Sequence, residues 1–468
     1  MKGDSHTPAF RILSGNQITR IHEKTLIVLE EIGVQVLHEE ALDMLKGAGG
    51  KLQEDSTVRI PHQMVERALK TSPRTCEIFD REGNSRMILD GTRTYYGSFS
   101  DSFLILDHEL GRARPFLLRD IRTVVKVIDA MPNIRFMTCP GILPREEPGM
   151  APRLTFKECF KNTKKPFSFH GDRNTCTDII NFCLRVSGGR SAFQSKPFIF
   201  RAIEPISPLR HSQEGVEGIL TCADYDIPLV YYPYCLMGGT SPVTIAGSLV
   251  QCNAEVLSGL VIQQLRNPGA PFVYGAMPAP MDMRTTTGLY GAPELHLAIA
   301  ASCEIARYYG LPFFGTAGVS DSKHLDYQGV MEATMSCLMT GFSRPDLAHD
   351  VGLLDHSNIV SPELIVLTNE IIDMIQPLVQ GIPVDEETLA IDVIRKVGPG
   401  TRNFIQEDHT YRHFRSFWYP GLLDRSMEGE TPDLREKVKE KLREILRHHE
   451  AEPLPRDVAQ GLERLVPG

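Results

Sequence analysis

Seven short apolar segments, each rich in β-branched and aromatic residues, recur through the middle of this chain. They fall at 136–139, 166–170, 198–202, 229–234, 272–276, 313–317 and 347–351. Helical patterns occupy the spaces at 175–186, 211–224, 245–265, 293–309 and 327–340. Strands spaced roughly thirty to forty residues apart with helices between them read as a parallel sheet built from βα units. So many consecutive units, with strands apolar on both faces, favour a closed (β/α)8 TIM barrel over an open sheet. The eighth strand is expected either around Tyr95 or beyond residue 380. The predicted core spans 116–425. Residues 1–115 are expected to form helical and extended additions packed on it, with amphipathic helices at 18–32 and 59–68 and an extended stretch at 94–107. Residues 426–468 read as a charged helical tail, with a solvated helix at 428–450.

A chain of 468 residues buries a core of this size without disulfides. The formal charge of −9 offers no footprint for nucleic acid or an anionic membrane surface. The ten cysteines are scattered, with no CxxC pair, as expected of buried thiols in a reducing cytoplasm. The first residues lack the apolar run of a secretory signal, and no uninterrupted apolar segment reaches the length of a membrane span. A cytoplasmic homo-oligomer is the expected state.

Functional residues of such a barrel follow the C-terminal ends of its strands. Those positions hold His170, Arg201, Glu204, Tyr231 with Tyr232 and Tyr234, Tyr274, Asp321 with Lys323, and His349 with Asp350. The extended segment before them offers Tyr95, Tyr96, Phe99, Ser100 and Asp101. Each alone is weak: a strand-end Tyr is commonly packing, and a His-Asp pair commonly a structural hydrogen bond. Tyr231 and Tyr232 point to opposite faces, so at most one lines a central pocket. Taken together they describe an aromatic mouth with a few polar groups, which suits a quaternary ammonium ion. Such an ion cannot shed its charge, and desolvated aromatic faces hold it at roughly 1–2 kcal/mol each. No HExxH, GxSxG or Walker A pattern is present. His170 and Cys176 are the nearest Cys/His pair, and no metal is expected in the chain.

One stretch stands apart. Pro242-Val243-Thr244-Ile245-Ala246-Gly247 is followed by Gln251, by Asn253-Ala254-Glu255 and then by 268–275, with polar side chains where an ordinary core helix needs none. Further blocks are Gly291-Ala292-Pro293-Glu294, 306–312, Asp321-Ser322-Lys323 with Asp326 and Gln328, His349-Asp350-Val351-Gly352, and His409-Thr410 with His413-Phe414-Arg415. Together they closely resemble the trimethylamine methyltransferase family. The resemblance implies a TIM-barrel methyltransferase that hands a methyl group from a methylated amine to the cobalamin of a partner corrinoid protein. The founding members carry pyrrolysine, and this chain has only the twenty common residues. It is thus similar to the non-pyrrolysine branch, for which glycine betaine is the first substrate expected. Proline betaine, carnitine and γ-butyrobetaine are the alternatives. Gly398-Pro399-Gly400 is shorter than the Gly-rich stretch expected of the family. On this reading Tyr95, Phe99, Tyr231 and Tyr274 wall the substrate, and His170, Arg201, Glu204 and His349 supply polar contacts. Gly238, Gly239, Gly318, Asp321 and Gly352 face the corrinoid. Asp321, Lys323, Asp326 and Gln328 have a rival role in organising their own loop, and Glu255 one as a satisfied buried carboxylate. A betaine-binding barrel without chemistry, and a barrel lyase or hydrolase, are the rivals from other classes.

Overall fold

The computed structural model describes residues 8–99, 101–427 and 432–466; Ser100 lies outside this set. Eight parallel strands form the central sheet: β1 (Tyr95–Ser98), β2 (Ile134–Phe136), β3 (Phe167–Ser168), β4 (Ile199–Ile203), β5 (Leu229–Tyr231), β6 (Phe272–Gly275), β7 (Phe313–Thr316) and β8 (Leu347–Val351). Neighbours in sequence are neighbours in space, and β8 pairs with β1. The Met137–Phe167 bridge closes the ring between β2 and β3. The eighth strand is therefore the Tyr95 segment, and the barrel begins inside the stretch assigned from sequence to an N-terminal addition.

Each strand is followed by a long outer helix: α1 (Leu118–Ala130), α2 (Ala151–Asn162), α3 (Arg173–Val186), α4 (Gln213–Tyr225), α5 (Ile245–Arg266), α6 (Pro293–Tyr309), α7 (Tyr327–Ser343) and α8 (Pro362–Gln380), with a short helix Arg190–Ser195 added after α3. Local chemistry starts them. Asp172, Ser212, Thr244, Asp326 and Ser361 each turn a side-chain oxygen back to a first-turn backbone N–H, which relieves the orphan donors of a helix start. Helices α1, α2 and α8 were not foreseen. Helix α5 is long and apolar enough to cross a membrane by length and composition, contrary to the sequence reading, but 72% of its apolar window is buried. The N-terminal helices Gly15–Ile27 and His62–Thr71 lie on it, which explains an apolar surface all round.

The barrel is filled by side chains. Phe136, Phe200 and Phe314 are wholly buried, and Phe200 and Phe314 both meet Phe136, with ring centroids 5.8 and 6.5 Å from it. The hairpin Cys76–Phe79 with Ser85–Leu89 packs at the N-terminal end, where Phe79 N donates to Pro197 O just ahead of β4. At the opposite end β5 and β6 resume as a second parallel pair, Tyr234–Met237 with Met277–Pro280, and raise one wall of the mouth. The helix layer ends at Gln380, and short helices follow from 386 to 413. The tail helix Leu434–His448 is not fully solvated as expected. It buries Val438, Leu442 and Ile445 against α1 and α8.

Candidate active site

Register decides which strand-end residues look into the barrel. Ile203, Tyr231 and Tyr274 are aligned across β4, β5 and β6, so their side chains share one face of the sheet. That face is the outer one. Tyr231 O–H meets His211 Nδ1 at 2.5 Å, and the Tyr274 hydroxyl donates to Asn253 Oδ1 at 3.1 Å within the helix layer. One residue further on, Glu204, Tyr232 and Gly275 turn inward. Gly275 is required there, because a Cβ would lie 2.4 Å from the Cβ of Tyr232. Tyr232 crosses that space to Phe314 and His349, at centroid distances of 5.1 and 5.6 Å.

A bulge supplies the opposite wall. Register slips between Ala348 and Val351, and Asp350 adopts φ of 79°. Successive residues of a regular strand face opposite ways, but this distortion lets Asp350 act beside His349. Asp350 Oδ1 lies 3.3 Å from His349 Nε2, and its Oδ2 accepts from Thr316 Oγ1 at 2.6 Å. The other imidazole nitrogen, Nδ1, faces Gly315 O at 2.9 Å, which fixes the ring. Burial pushes the Asp350 carboxyl up, against the pull of His349 and Thr316.

Glu204 is open to solvent on the cavity side yet closely surrounded by protein. Desolvation raises its carboxyl to about 7, against a hydrogen bond from Tyr232, and the charges of Asp101 and Asp350 add to the rise. Higher on the same wall Tyr234 and Tyr290 stack with centroids 5.9 Å apart and share a hydrogen bond. Asp321 holds the Tyr290 loop by accepting from Tyr290 N and Gly291 N at 2.8 and 2.9 Å, and it pairs with His356. The result is a mouth of tyrosines and carboxylates.

Across from Glu204, Asp101, Cys139 and His170 bring their ligand atoms within 4.8 Å of one another. Cys139 Sγ and His170 Nε2 stand 3.4 Å apart. Burial raises the thiol well above its ordinary value, helped by Asp101, and lowers the imidazole. Both are neutral at pH 7, so the pair is not an activated thiolate nucleophile.

The structure thus gathers His170, Glu204 and His349 at one mouth and leaves several other expected residues elsewhere. Tyr95 lies at the N-terminal end of β1, where its oxygen accepts from Ile88 N. Phe99 is wholly buried. Arg201 turns outward over Phe169 and donates to Gly171 O. Gly318 and Gly352 are buried against α8, while Gly238 and Gly239 are exposed. Cys176 bonds to Gly171 O and takes no part in the Cys/His cluster. Asp326 caps α7 and Gln328 bonds Glu332, so that block organises its own loop. Tyr232, Tyr234 and Asp350 were noted at strand ends but not chosen as substrate contacts, and Tyr290 and Cys139 were not singled out. Strand parity could have exchanged Tyr232 for Tyr231 once the register was known.

In the stretch that stood apart in sequence, Pro242–Thr244 lie exposed, whereas the polar helix residues Gln251, Asn253 and Glu255 are scaffolding. Glu255 accepts from Ser207 Oγ, Leu209 N and Gln251 Nε2 at 2.7, 2.8 and 2.9 Å. Asn253 donates to Thr25 Oγ1 and the Tyr309 hydroxyl, tying α5 to the N-terminal helix and α6.

Comparison with known proteins gives a family model, Trimethylamine methyltransferase (MTTB), that matches residues 3–467. A trimethylamine methyltransferase of Desulfitobacterium hafniense is 32% identical over 97% of this chain and 92% of its own length. A glycine betaine methyltransferase of the same species is 30% identical over 90% of this chain and 88% of its own. A monomethylamine methyltransferase structure from Methanosarcina barkeri aligns over 92% of both chains at 11% identity, with a TM-score of 0.45.

Proposed function

The chain belongs to the trimethylamine methyltransferase family, and on that premise we propose that it moves a methyl group from a quaternary amine, glycine betaine first, to a partner corrinoid protein. The observation that carries this reading is the mouth itself. Tyr232, Tyr234 and Tyr290 stand with Glu204, Asp101 and Asp350 in mutual electrostatic reach, while Arg201 faces away. Aromatic faces and carboxylates without a competing guanidinium suit a permanent cation. The glycine betaine methyltransferase among the relatives supports the substrate, as does the absence of pyrrolysine from the sequence.

The cob(I)alamin of the partner supplies the nucleophile, and the departing group of a quaternary amine is already neutral. The chain's own tasks are to bind, orient and exclude water. Phe314 and Tyr232 form the floor, and His349 holds Tyr232 from the side. Desolvation pushes the Glu204 carboxyl up, so less of it is charged at neutral pH than of a free carboxylate and its grip on the cation is weaker. That matters because the positive charge disperses as the methyl leaves, and a firm carboxylate contact would favour the ground state. A rim of exposed Val243 and Met283 flanks Gly238, where a flat apolar ring can approach. The test is an anaerobic assay with cob(I)alamin and a panel of glycine betaine, proline betaine, carnitine, choline and trimethylamine. One betaine consuming the cob(I)alamin absorbance supports the reading, and turnover of trimethylamine alone contradicts it.

A further inference from the structure

Three consecutive strands deliver three different metal-ligand side chains to one point. Asp101 follows β1, Cys139 follows β2 and His170 follows β3, all at the C-terminal end of the barrel. Their ligand atoms lie within 4.8 Å of one another. Zinc bonds of about 2.3 Å to sulfur and 2.0–2.1 Å to nitrogen put those two atoms about 3.6 Å apart at a tetrahedral angle. The Cys139 Sγ to His170 Nε2 distance is 3.4 Å. A thiolate, an imidazole and a carboxylate select a zinc-type ion over magnesium or calcium.

We propose that Asp101, Cys139 and His170 form a zinc-type divalent metal site in the wall of the mouth, whose fourth position receives the carboxylate of the substrate. The metal half stands on geometry alone, and the substrate half rests on the function proposed above. Binding displaces the Cys139 S–H proton to solvent as the sulfur–metal bond forms. Three protein ligands leave one position open, as in catalytic rather than structural zinc sites. The ion has no work to do at nitrogen, whose leaving group is already neutral. A zwitterionic betaine instead spans the mouth, its carboxylate on the metal and its ammonium between Tyr232 and Glu204. Arg201 faces outward and donates to Gly171 O, so it does not compete for that carboxylate.

The probe is free Co2+ added to the metal-stripped full-length protein without any corrinoid. The expected result is one Co2+ per chain, with a sulfur-to-cobalt charge-transfer band and tetrahedral visible bands that zinc abolishes. Cys139→Ser loses the charge-transfer band, and Cys176→Ser keeps it; matching circular dichroism of both variants shows that folding is intact. Glycine betaine shifts the visible bands and trimethylamine does not. A stripped protein that binds no stoichiometric Co2+, or a Cys139→Ser variant with an unchanged spectrum, overturns the site. Methyl transfer that survives both chelation and Cys139→Ser would overturn the metal's role toward the substrate carboxylate while leaving the proposed function standing. A bound metal without methyl transfer from any amine would instead count against the function.

Discussion

Substituting Glu255 separates scaffold from site in the stretch that most resembles the family. Its carboxylate is wholly buried, and Leu209 N has it as acceptor. In Glu255→Ala that N–H is left without a partner, at about 1–3 kcal/mol. Removing the one buried Cγ methylene costs about 0.8 kcal/mol. The Ser207 hydroxyl and the Gln251 amide also lose a partner, although Gln251 keeps Thr240 O. The expected loss is therefore about 2–4 kcal/mol. Glu255→Gln keeps one oxygen for Leu209 N and Gln251, and Ser207 can turn its hydroxyl to accept, so it costs about 1 kcal/mol. Urea unfolding followed by far-ultraviolet circular dichroism reads both. Betaine affinity of the folded Gln variant should match the wild type. An Ala variant within about 1 kcal/mol of wild type, or a stable Gln variant that no longer binds betaine, would refute the scaffold assignment.

Three further outcomes follow from the same geometry. Tyr232→Leu removes one aromatic face worth about 1–2 kcal/mol, so betaine affinity measured by calorimetry should fall about 5- to 30-fold. Glu204 titrates at about 7; below that it is a neutral acid and above it a carboxylate, so betaine binding should tighten as pH rises through neutrality. Glu204→Gln should flatten that profile, and a variant with the wild-type slope would exclude Glu204 as its source. Gly352→Ala puts a Cβ 2.4 Å from Ile365 at φ of 103°, which strains the backbone and overpacks α8 at about 1–3 kcal/mol for each effect; a melting temperature unchanged from wild type would contradict this.

The strand rhythm was legible because most of the barrel strands are buried on both faces and read as apolar runs. The first strand was ambiguous because Tyr95–Ser98 is short and a second hairpin separates it from its helix. The loops of the mouth were legible too, since barrel chemistry sits at strand ends. Which residue of each strand end faces inward was not. A period of two makes a one-residue error a reversal of face, and so Arg201, Tyr231 and Tyr274 were favoured over Glu204's true neighbours, Tyr232 and the bulged Asp350. That bulge leaves no mark in composition. Nor does the meeting of Asp101, Cys139 and His170, which belong to separate loops and converge only when the barrel closes. Gln251, Asn253 and Glu255 stood out for a sound reason, an apolar helix carrying polar groups, but buried hydrogen bonding accounts for them as completely as a site would.

The most direct measurement is a single-turnover reaction of the purified protein with cob(I)alamin and glycine betaine labelled with 13C in its methyl groups. The account predicts labelled methylcobalamin and dimethylglycine in equal amounts, with Tyr232→Leu needing about 5- to 30-fold more glycine betaine for the same yield. A protein that binds glycine betaine at the mouth yet leaves the cob(I)alamin unmethylated would contradict it.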